Sequence, residues 1–291
     1  MSNQIHLPDA AQIGYAHLRV RHLPTSLAFY ADSVGLHELK REGDTAYLSA
    51  DGKTIHLKLT ESPNAPPKPP RSTGLYHVAI RLPTRVDLAN LFRRLVMREV
   101  PFQGFSDHLV SEALYLPDPD NNGIELYRDK PRSEWQYGAE GMRVRMDTLP
   151  LNVEALLDEA DDRRWTGIAP ETDIGHMHLH VSDLAKAEAF YSDLTGFDVI
   201  VRGYPGALFV AAGGYHHHIG LNIWAGKLPP PEGAIGLLEY SVIVPEDAGF
   251  AALSDRLQAA GSVVETGEGF IVARDQDGNA VRFQREAATL K

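Results

Sequence analysis

The sequence contains no cysteine, and it carries few basic residues relative to acidic ones. Its 291 residues include 28 lysines and arginines against 39 aspartates and glutamates, which gives a formal net charge of −11. The absence of cysteine excludes disulfide bonds, zinc ribbons and thiol nucleophiles. The acidic balance argues against nucleic acid and against an anionic membrane surface as partners, because both attract basic patches.

Long apolar segments are also lacking. No uninterrupted apolar run reaches the ~20 residues that a membrane-spanning helix needs. The first residues, MSNQIHLPDAAQIGYAHL, show no basic region followed by an apolar core, as a secretory signal would. The sequence therefore predicts a cytoplasmic protein with no membrane partner.

What the sequence does contain is an internal repeat. IGYAHLRVRHLPTSLAFYADSVGLHEL (13–39) and IGHMHLHVSDLAKAEAFYSDLTGFDVI (174–200) both have the pattern of a strand, a turn, a helix and a second strand. The aligned positions are His17 with His178, Phe29-Tyr30 with Phe190-Tyr191, and Gly35 with Gly196. In both helices the aromatic pair lies on the apolar face, which predicts that it packs in the core.

Two weaker copies bring the number of repeats to four. LYHVAIRLP (75–83) and LEYSVIVP (238–245) begin further strand–helix patterns, and each copy ends in a hairpin. The chain is therefore predicted to be α+β, with four βαβββ units at 11–62, 73–130, 173–226 and 236–287. Each unit gives one curved sheet with an open face, and two such sheets must pair to close a cavity. This predicts two pseudo-symmetric domains, 11–130 and 173–287, joined by a connecting insertion at 131–172.

Four segments carry a resemblance to a known family: GLYHVAIRLP, SDHLVSEALYLPDPDNNGIELY, IGHMHLHVSDL and GGYHHHIGLNIW. The chain resembles the vicinal oxygen chelate superfamily, which includes glyoxalase I, the bleomycin and fosfomycin resistance proteins and the type I extradiol dioxygenases. Within it, the bacterial catechol 2,3-dioxygenase-like proteins of two-domain build are the most similar. The resemblance extends over nearly the whole chain.

The resemblance implies metal ligands on the first and last strands of paired units. The first-strand positions are His17, His77, His178 and Tyr240, and the last-strand positions are His56, Glu125, Gly220 and Arg282. Arg282 would repel a divalent cation, so the fourth unit is not expected to build a site. His77 and Glu125 of the second unit are both ordinary ligands of divalent transition metals.

The third ligand depends on which unit pairs with the second. Pairing of units one and two gives a closed set of His17, His56, His77 and Glu125. Pairing of units two and three gives His77, Glu125 and His178, with Gly220 leaving coordination positions open for substrate and O₂.

The three histidines at 216–218 favour the second pairing. Because side chains two apart share a face of a strand, His216, His218 and Gly220 are expected to face the cavity, and His217 to face away. Imidazoles in the cavity wall would serve proton transfer beside an open metal site. The resemblance adds His108 and Tyr115, since type I extradiol enzymes carry a tyrosine ten residues before the ligand glutamate and a histidine further upstream.

The hypothesis is an Fe(II)-dependent extradiol dioxygenase that cleaves a catechol with both atoms of O₂, with Mn²⁺ as the alternative ion. The metal ligands would be His77, His178 and Glu125, and the catalytic residues would be His218, His216, His108 and Tyr115. Two alternatives are a glyoxalase-type isomerase or thiol transferase holding Ni²⁺ or Zn²⁺, and a metal-free module that binds aromatic drugs. Open sheet edges and the 131–172 insertion are compatible with a homodimer.

Overall fold

The fold was obtained as a computed structural model, which describes residues 6–139 and 142–289. Four βαβββ units follow one another along the chain, and short strands and helices lie in the segment that connects the second unit to the third. None of the helices in the described ranges is both long enough and apolar enough to cross a bilayer.

The first two units have the element bounds that follow. The first unit consists of Gln12–Val20 (β1), Leu23–Leu27 (α1), His37–Glu42 (β2), Thr45–Ser49 (β3) and Leu57–Glu61 (β4). The second consists of Gly74–Arg81 (β5), Arg85–Met97 (α2), Gly104–Asp107 (β6), Ser111–Pro117 (β7) and Gly123–Asp129 (β8). Helix α1 continues into a π-helical segment, Ala28–Val34.

The connecting segment and the last two units complete the chain. The connecting segment holds a 3₁₀ turn, Arg132–Glu134, then Tyr137–Ala139 (β9), Met142–Val144 (β10), Leu149–Pro150 (β11) and Val153–Leu157 (α3). The third unit consists of Asp173–His180 (β12), Leu184–Glu188 (α4) with a π-helical extension Ala189–Leu194, Asp198–Val201 (β13), Ala207–Ala211 (β14) and Ile219–Asn222 (β15). The fourth consists of Gly236–Ile243 (β16), Asp247–Ala259 (α5), Val263–Gly267 (β17), Phe270–Arg274 (β18) and Ala280–Gln284 (β19).

The strands form two mixed sheets. One has eight strands in the order β17-β18-β19-β16-β1-β4-β3-β2, and the other has eleven in the order β11-β6-β7-β8-β5-β12-β15-β14-β13-β10-β9. In every unit the first strand runs parallel to the last. This is the α+β arrangement of four βαβββ units expected from the repeats, and the prediction of the fold class is confirmed.

Each sheet combines units from different halves of the chain. In the eleven-stranded sheet, β5 of the second unit pairs antiparallel with β12 of the third, and His77 lies opposite His178 in the register. In the eight-stranded sheet, β1 of the first unit pairs antiparallel with β16 of the fourth. The strands that begin units two and three therefore lie side by side, and paired residues such as His77 and His178 point to the same face of the sheet.

The two aromatic pairs lie in the π-helical segments that follow α1 and α4, and they are buried, as predicted. Tyr30 and Tyr191 are fully buried, and a buried phenol needs a hydrogen-bond partner. Each donates to an aspartate in the hairpin turn of the following unit, Tyr30 to Asp118 at 2.9 Å and Tyr191 to Asp275 at 2.9 Å. These bonds fix each helix against the neighbouring sheet.

Candidate metal centre

A cavity of about 390 Å³ opens on one face of the eleven-stranded sheet. Its walls come from the second and third units and from residues 146–148 of the connecting segment. The volume lies in the range of small-molecule binding sites. Tyr76, Phe209 and Trp224 give part of the wall an aromatic character, and several histidines and one carboxylate give the remainder a polar one.

Three side chains that converge in this cavity have the atoms of a metal-binding set. Nε2 of His77 lies 2.9 Å from Oε2 of Glu125, and Nε2 of His176 lies 3.1 Å from the same oxygen. The two Nε2 atoms are 3.4 Å apart, and all three side chains are buried. Among residues 6–139 and 142–289 this is the one group of histidines and carboxylates close enough together to share an ion.

The strand register explains why these residues meet. Glu125 on β8 and His176 on β12 both pair with Ala79 of β5, one on each side of it. His77 is two residues before Ala79 and therefore points to the same face. Because alanine is small, the side chains of its two neighbours can approach each other above it.

The protonation state of the cluster suits a metal ligand set. Burial lowers the pKa of His176 to about 4, so this imidazole is neutral near pH 7. Burial alone would raise the pKa of Glu125, but the interactions of this carboxylate with His176 and His77 outweigh burial and hold that pKa well below the usual range. A carboxylate and a neutral imidazole are the forms that bind a cation.

The donor set fits a divalent transition metal. Two imidazole nitrogens and one carboxylate oxygen on one side of a cavity are the ligand types of the facial sites of non-heme iron proteins. A buried carboxylate is costly without a counter-charge, and no lysine or arginine within the described residues forms an ion pair with Glu125. A cation at this position would supply that charge.

His178, the expected third ligand, does not belong to the cluster. Its Nε2 lies 3.0 Å from Nδ2 of Asn222, whose Oδ1 already contacts Nδ1 of His180 at 2.6 Å and accepts from the Trp224 amide. The Asn222 amide therefore donates to His178 and occupies the lone pair that a metal would need.

The sequence alone favoured His178 over His176, because the two lie two residues apart on β12 and share a face. A signal was present in the sequence: His176 lies five residues before Val181, and His77 lies five residues before Leu82, the equivalent end of its strand. His178 lies only three residues before Val181.

The role proposed for Gly220 also changes. A Cβ placed on Gly220 would lie 2.9 Å from Cδ2 of His178. This contact is shorter than a real side chain tolerates, so the glycine makes room for the His178 ring.

The orientation expected for the three consecutive histidines was wrong. His217 lines the cavity, and its ring centroid is 4.1 Å from that of His176. His216 instead contacts Asp129, with its Nε2 2.8 Å from Oδ1, and His218 accepts a hydrogen bond from the Ala212 amide at Nδ1. The reason is that β15 begins only at Ile219, so bends at 216 and 218 break the strand alternation on which the expectation relied.

His108 and Tyr115 both line the cavity. Nε2 of His108 and the hydroxyl of Tyr115 are 2.7 Å apart, and Nδ1 of His108 is 2.7 Å from the carbonyl oxygen of Asp147. Burial, followed by the charge of Glu125, raises the pKa of Tyr115 well above its usual value. The tyrosine is therefore a neutral phenol beside the cluster.

The alternative closed ligand set is not assembled. His17 and His56 belong to the first unit, whose strands lie in the other sheet, and their ring nitrogens contact Thr60 Oγ1 and the Ala50 amide. The corresponding face of that sheet carries Glu239 with two cations, Arg282 at 3.3 Å and Lys58 at 3.9 Å. A divalent cation would be repelled there, as expected for the fourth unit.

The two candidate third ligands can be told apart by matched substitutions. His176→Phe and His178→Phe both keep an aromatic ring on the same face of β12. Because even loss of an outer-shell partner costs 10–100-fold in metal affinity, His176→Phe should weaken metal binding by more than ~100-fold. His178→Phe should retain the metal, as measured by elemental analysis after gel filtration. Loss of metal in the second variant alone would restore His178 as the ligand.

Comparison with known proteins adds an independent line of evidence. The sequence matches the model of the Glyoxalase/Bleomycin resistance protein/Dioxygenase superfamily over residues 12–126 and 173–283. It is 50% identical over 281 residues to the catechol-2,3-dioxygenase of Bacillus subtilis (strain 168), which covers 94% of this chain and 98% of that protein. It is 30% identical over 141 residues to biphenyl-2,3-diol 1,2-dioxygenase 3 of Rhodococcus globerulus, covering 45% of this chain and 72% of that protein.

The fold is also similar to a solved structure. Glyoxalase I from Zea mays superposes with a TM-score of 0.57 at 15% identity, over 94% of this chain and 92% of that one. At this level of identity the likeness concerns the fold alone.

Proposed function

Because this chain belongs to the Glyoxalase/Bleomycin resistance protein/Dioxygenase superfamily and is a dioxygenase within it, we propose that it is an Fe(II)-dependent extradiol enzyme. Its substrate would be catechol or a substituted catechol, cleaved beside the two hydroxyl groups with incorporation of both atoms of O₂. Mn²⁺ is the alternative ion.

One observation carries this proposal: the cluster of His77, Glu125 and His176 faces a cavity with aromatic walls. Bound there, the ion would supply Lewis acidity and electrons to bring catechol and O₂ together. With one carboxylate among its ligands, the cluster has the charge suited to a divalent ion. The three protein ligands lie on one side, which leaves the cavity side for small molecules.

His217 is the residue best placed to accept a substrate proton. Its ring lines the cavity next to His176. Burial lowers its pKa well below the usual value, so it is a neutral base rather than a cation near pH 7. A base in contact with the bound diol would remove a hydroxyl proton and later return it to the opened product.

Tyr115 and His108 form a second proton-handling pair. The Asp147 carbonyl can only accept, so the proton of neutral His108 sits on Nδ1 and its Nε2 accepts from the Tyr115 hydroxyl. The tyrosine oxygen then has lone pairs free to accept a hydrogen bond from a substrate hydroxyl. Together the two residues orient the diol from the side of the cavity that faces β7.

The aromatic wall suits a planar ring. Tyr76 packs edge-on against Trp224, with ring centroids 5.9 Å apart, and Phe209 packs against His217 at 5.0 Å. Rings in this arrangement favour offset or edge contacts with an aromatic ligand. The remaining volume can accept a ring substituent.

The proposal is tested by measuring metal, oxygen and product together. Protein purified without air and loaded with Fe²⁺ should consume one O₂ per catechol and form a yellow ring-fission product, and a chelator should abolish both. Tight Zn²⁺ or Ni²⁺ with no O₂ uptake would instead support a glyoxalase-type enzyme. Absence of any bound metal would support a metal-free binding module.

A further inference from the structure

Behind the cavity wall, His217 belongs to a chain of three hydrogen-bonded side chains. Nδ1 of His217 lies 2.8 Å from Nδ1 of His216, and Nε2 of His216 lies 2.8 Å from Oδ1 of Asp129. His216 is fully buried and is not part of the cavity wall. The chain runs from the cavity to a carboxylate on the strand that also carries Glu125.

Asp129 is held as a carboxylate by several donors. Besides His216, it accepts from the Tyr215 hydroxyl at 2.9 Å and from Arg81 at 3.1 Å. Burial alone would raise its pKa, but His216, Arg81 and Tyr215 outweigh burial and lower that pKa to about 2. A carboxylate can only accept hydrogen bonds, so the partner atom of His216 must carry a proton.

The positions of the remaining protons follow from that constraint. In neutral His216 a proton on Nε2 leaves Nδ1 as an acceptor. Nδ1 of His217 must then donate to it, which leaves Nε2 of His217 without a proton. Within residues 6–139 and 142–289 no group forms a hydrogen bond with that Nε2, and its ring lines the cavity.

We propose that Asp129 and His216 are positioning residues that hold the proton of His217 on Nδ1, so that Nε2 faces the substrate as a free base. This inference rests on the proposed function only for the identity of the proton donor. It assigns a purpose to the buried member of the histidine run, which neither the metal cluster nor the substrate contacts use.

The same chain accounts for the proton that the base receives. When Nε2 of His217 takes a proton from a substrate hydroxyl, its Nδ1 proton can pass to Nδ1 of His216. His216 then holds two protons as an imidazolium and is paired with the Asp129 carboxylate. Return of the proton to the product reverses both transfers, so no further reactant is needed.

Asp129→Asn is the sharpest test, because it keeps the shape of the side chain and replaces one acceptor oxygen with a donor NH₂ group. Arg81 would retain the amide oxygen of the asparagine, and the amide NH₂ would face His216. Nε2 of His216 must then accept, Nδ1 must donate, and the proton of His217 moves to Nε2. An amide in place of the aspartate of a Ser-His-Asp triad is known to impose the wrong histidine tautomer in this manner.

The tautomer is measured by ¹⁵N NMR of histidine-labelled, metal-free protein at about pH 8, where imidazoles are neutral. His217→Gln identifies the His217 signals among those of the 13 histidines. We expect protonated Nδ1 in the parent protein and protonated Nε2 in Asp129→Asn. A parent protein with the proton on Nε2, or a variant with an unchanged tautomer, would overturn the proposal.

Kinetics provide the second measurement. Asp129→Asn should lower kcat by roughly 10²-fold, the lower end for loss of an acid–base group, with KM and metal content unchanged. His216→Phe, which preserves the ring volume, should behave similarly if it folds. His218→Asn is the control, because an amide oxygen can still accept from the Ala212 amide and this residue lies outside the chain.

The two measurements separate this inference from the proposed function. The NMR result needs neither metal nor substrate, so it stands or fails independently of ring cleavage. A parent protein that cleaves no catechol would refute the proposed function and leave the tautomer assignment intact. Unchanged kcat in folded Asp129→Asn, in an active parent enzyme, would refute the positioning role alone.

Discussion

Replacing Glu125 by alanine should leave the protein unable to retain its metal and should lower ring-cleavage turnover by at least ~10³-fold. The carboxylate is the one anionic ligand of the cluster, and the two remaining imidazoles offer the cation no compensating charge. The expected fall in turnover has two sources. Loss of a ligand should weaken metal binding by more than the 10–100-fold seen for loss of an outer-shell partner. Protein without the ion also lacks the chemistry that the ion supplies. Elemental analysis and O₂ uptake measure the two effects separately.

The same variant should respond differently to added metal in thermal unfolding. An ion that binds only the folded state stabilises it by mass action, by about 2.7 kcal/mol at a hundredfold excess over Kd. We expect Fe²⁺ or Mn²⁺ to raise the melting temperature of the parent protein and not that of Glu125→Ala.

A matched control for Glu125→Ala is Glu112→Ala on the neighbouring strand β7. Glu112 is a buried carboxylate too, but it faces Arg85 at 2.7 Å and Arg128 at 2.8 Å. This variant should lose stability and keep its metal. Normal metal content in Glu125→Ala would remove Glu125 from the proposed ligand set.

His217→Ala should keep the metal and lose turnover by about 10²–10⁴-fold, the range for removal of a general acid–base group. His217 lines the cavity and is not one of the three clustered ligands, so its loss affects proton transfer rather than metal affinity. The expected pattern is therefore a fall in kcat at constant metal content. Metal analysis and steady-state kinetics on the same preparation measure both.

His218→Ala is the comparison for this variant. It removes the neighbouring imidazole of the same run, which accepts from the Ala212 amide and lies outside the catalytic cavity. Its effect should be confined to stability. A larger fall in kcat for His218→Ala than for His217→Ala would assign the role of the base to His218, as strand alternation predicted.

The repeats made the fold predictable from the sequence. Alternating strands and aromatic pairs recur in units whose spacing is set by the elements themselves, and buried residues such as Tyr30 and Tyr191 must satisfy the same packing in each copy. Two residues of the cluster could be picked out from the sequence, because His77 and Glu125 are costly polar residues within apolar strands.

The details of the site were less predictable, for two physical reasons. The two-residue period of a strand predicts which face a side chain points to, but it does not predict how far along the strand the metal site lies. It therefore cannot distinguish His176 from His178. It also fails where a segment is not yet a strand, and the bends before Ile219 bring His217 rather than its neighbours into the cavity. The positions of these histidines depend on residues that are distant in the sequence, such as Ala79 and Asn222, and a local pattern does not reveal such partners.

The junction of β5 with β12 has a consequence for how the protein acquires its metal. His77 and Glu125 come from the first half of the chain and His176 from the second, and the three meet through the register of β5 with β12 and with β8. Contacts so distant along the chain form slowly during folding. A ribosome that has made only the first half has produced two of the three clustered residues, so metal loading should be one of the last events in the maturation of this protein.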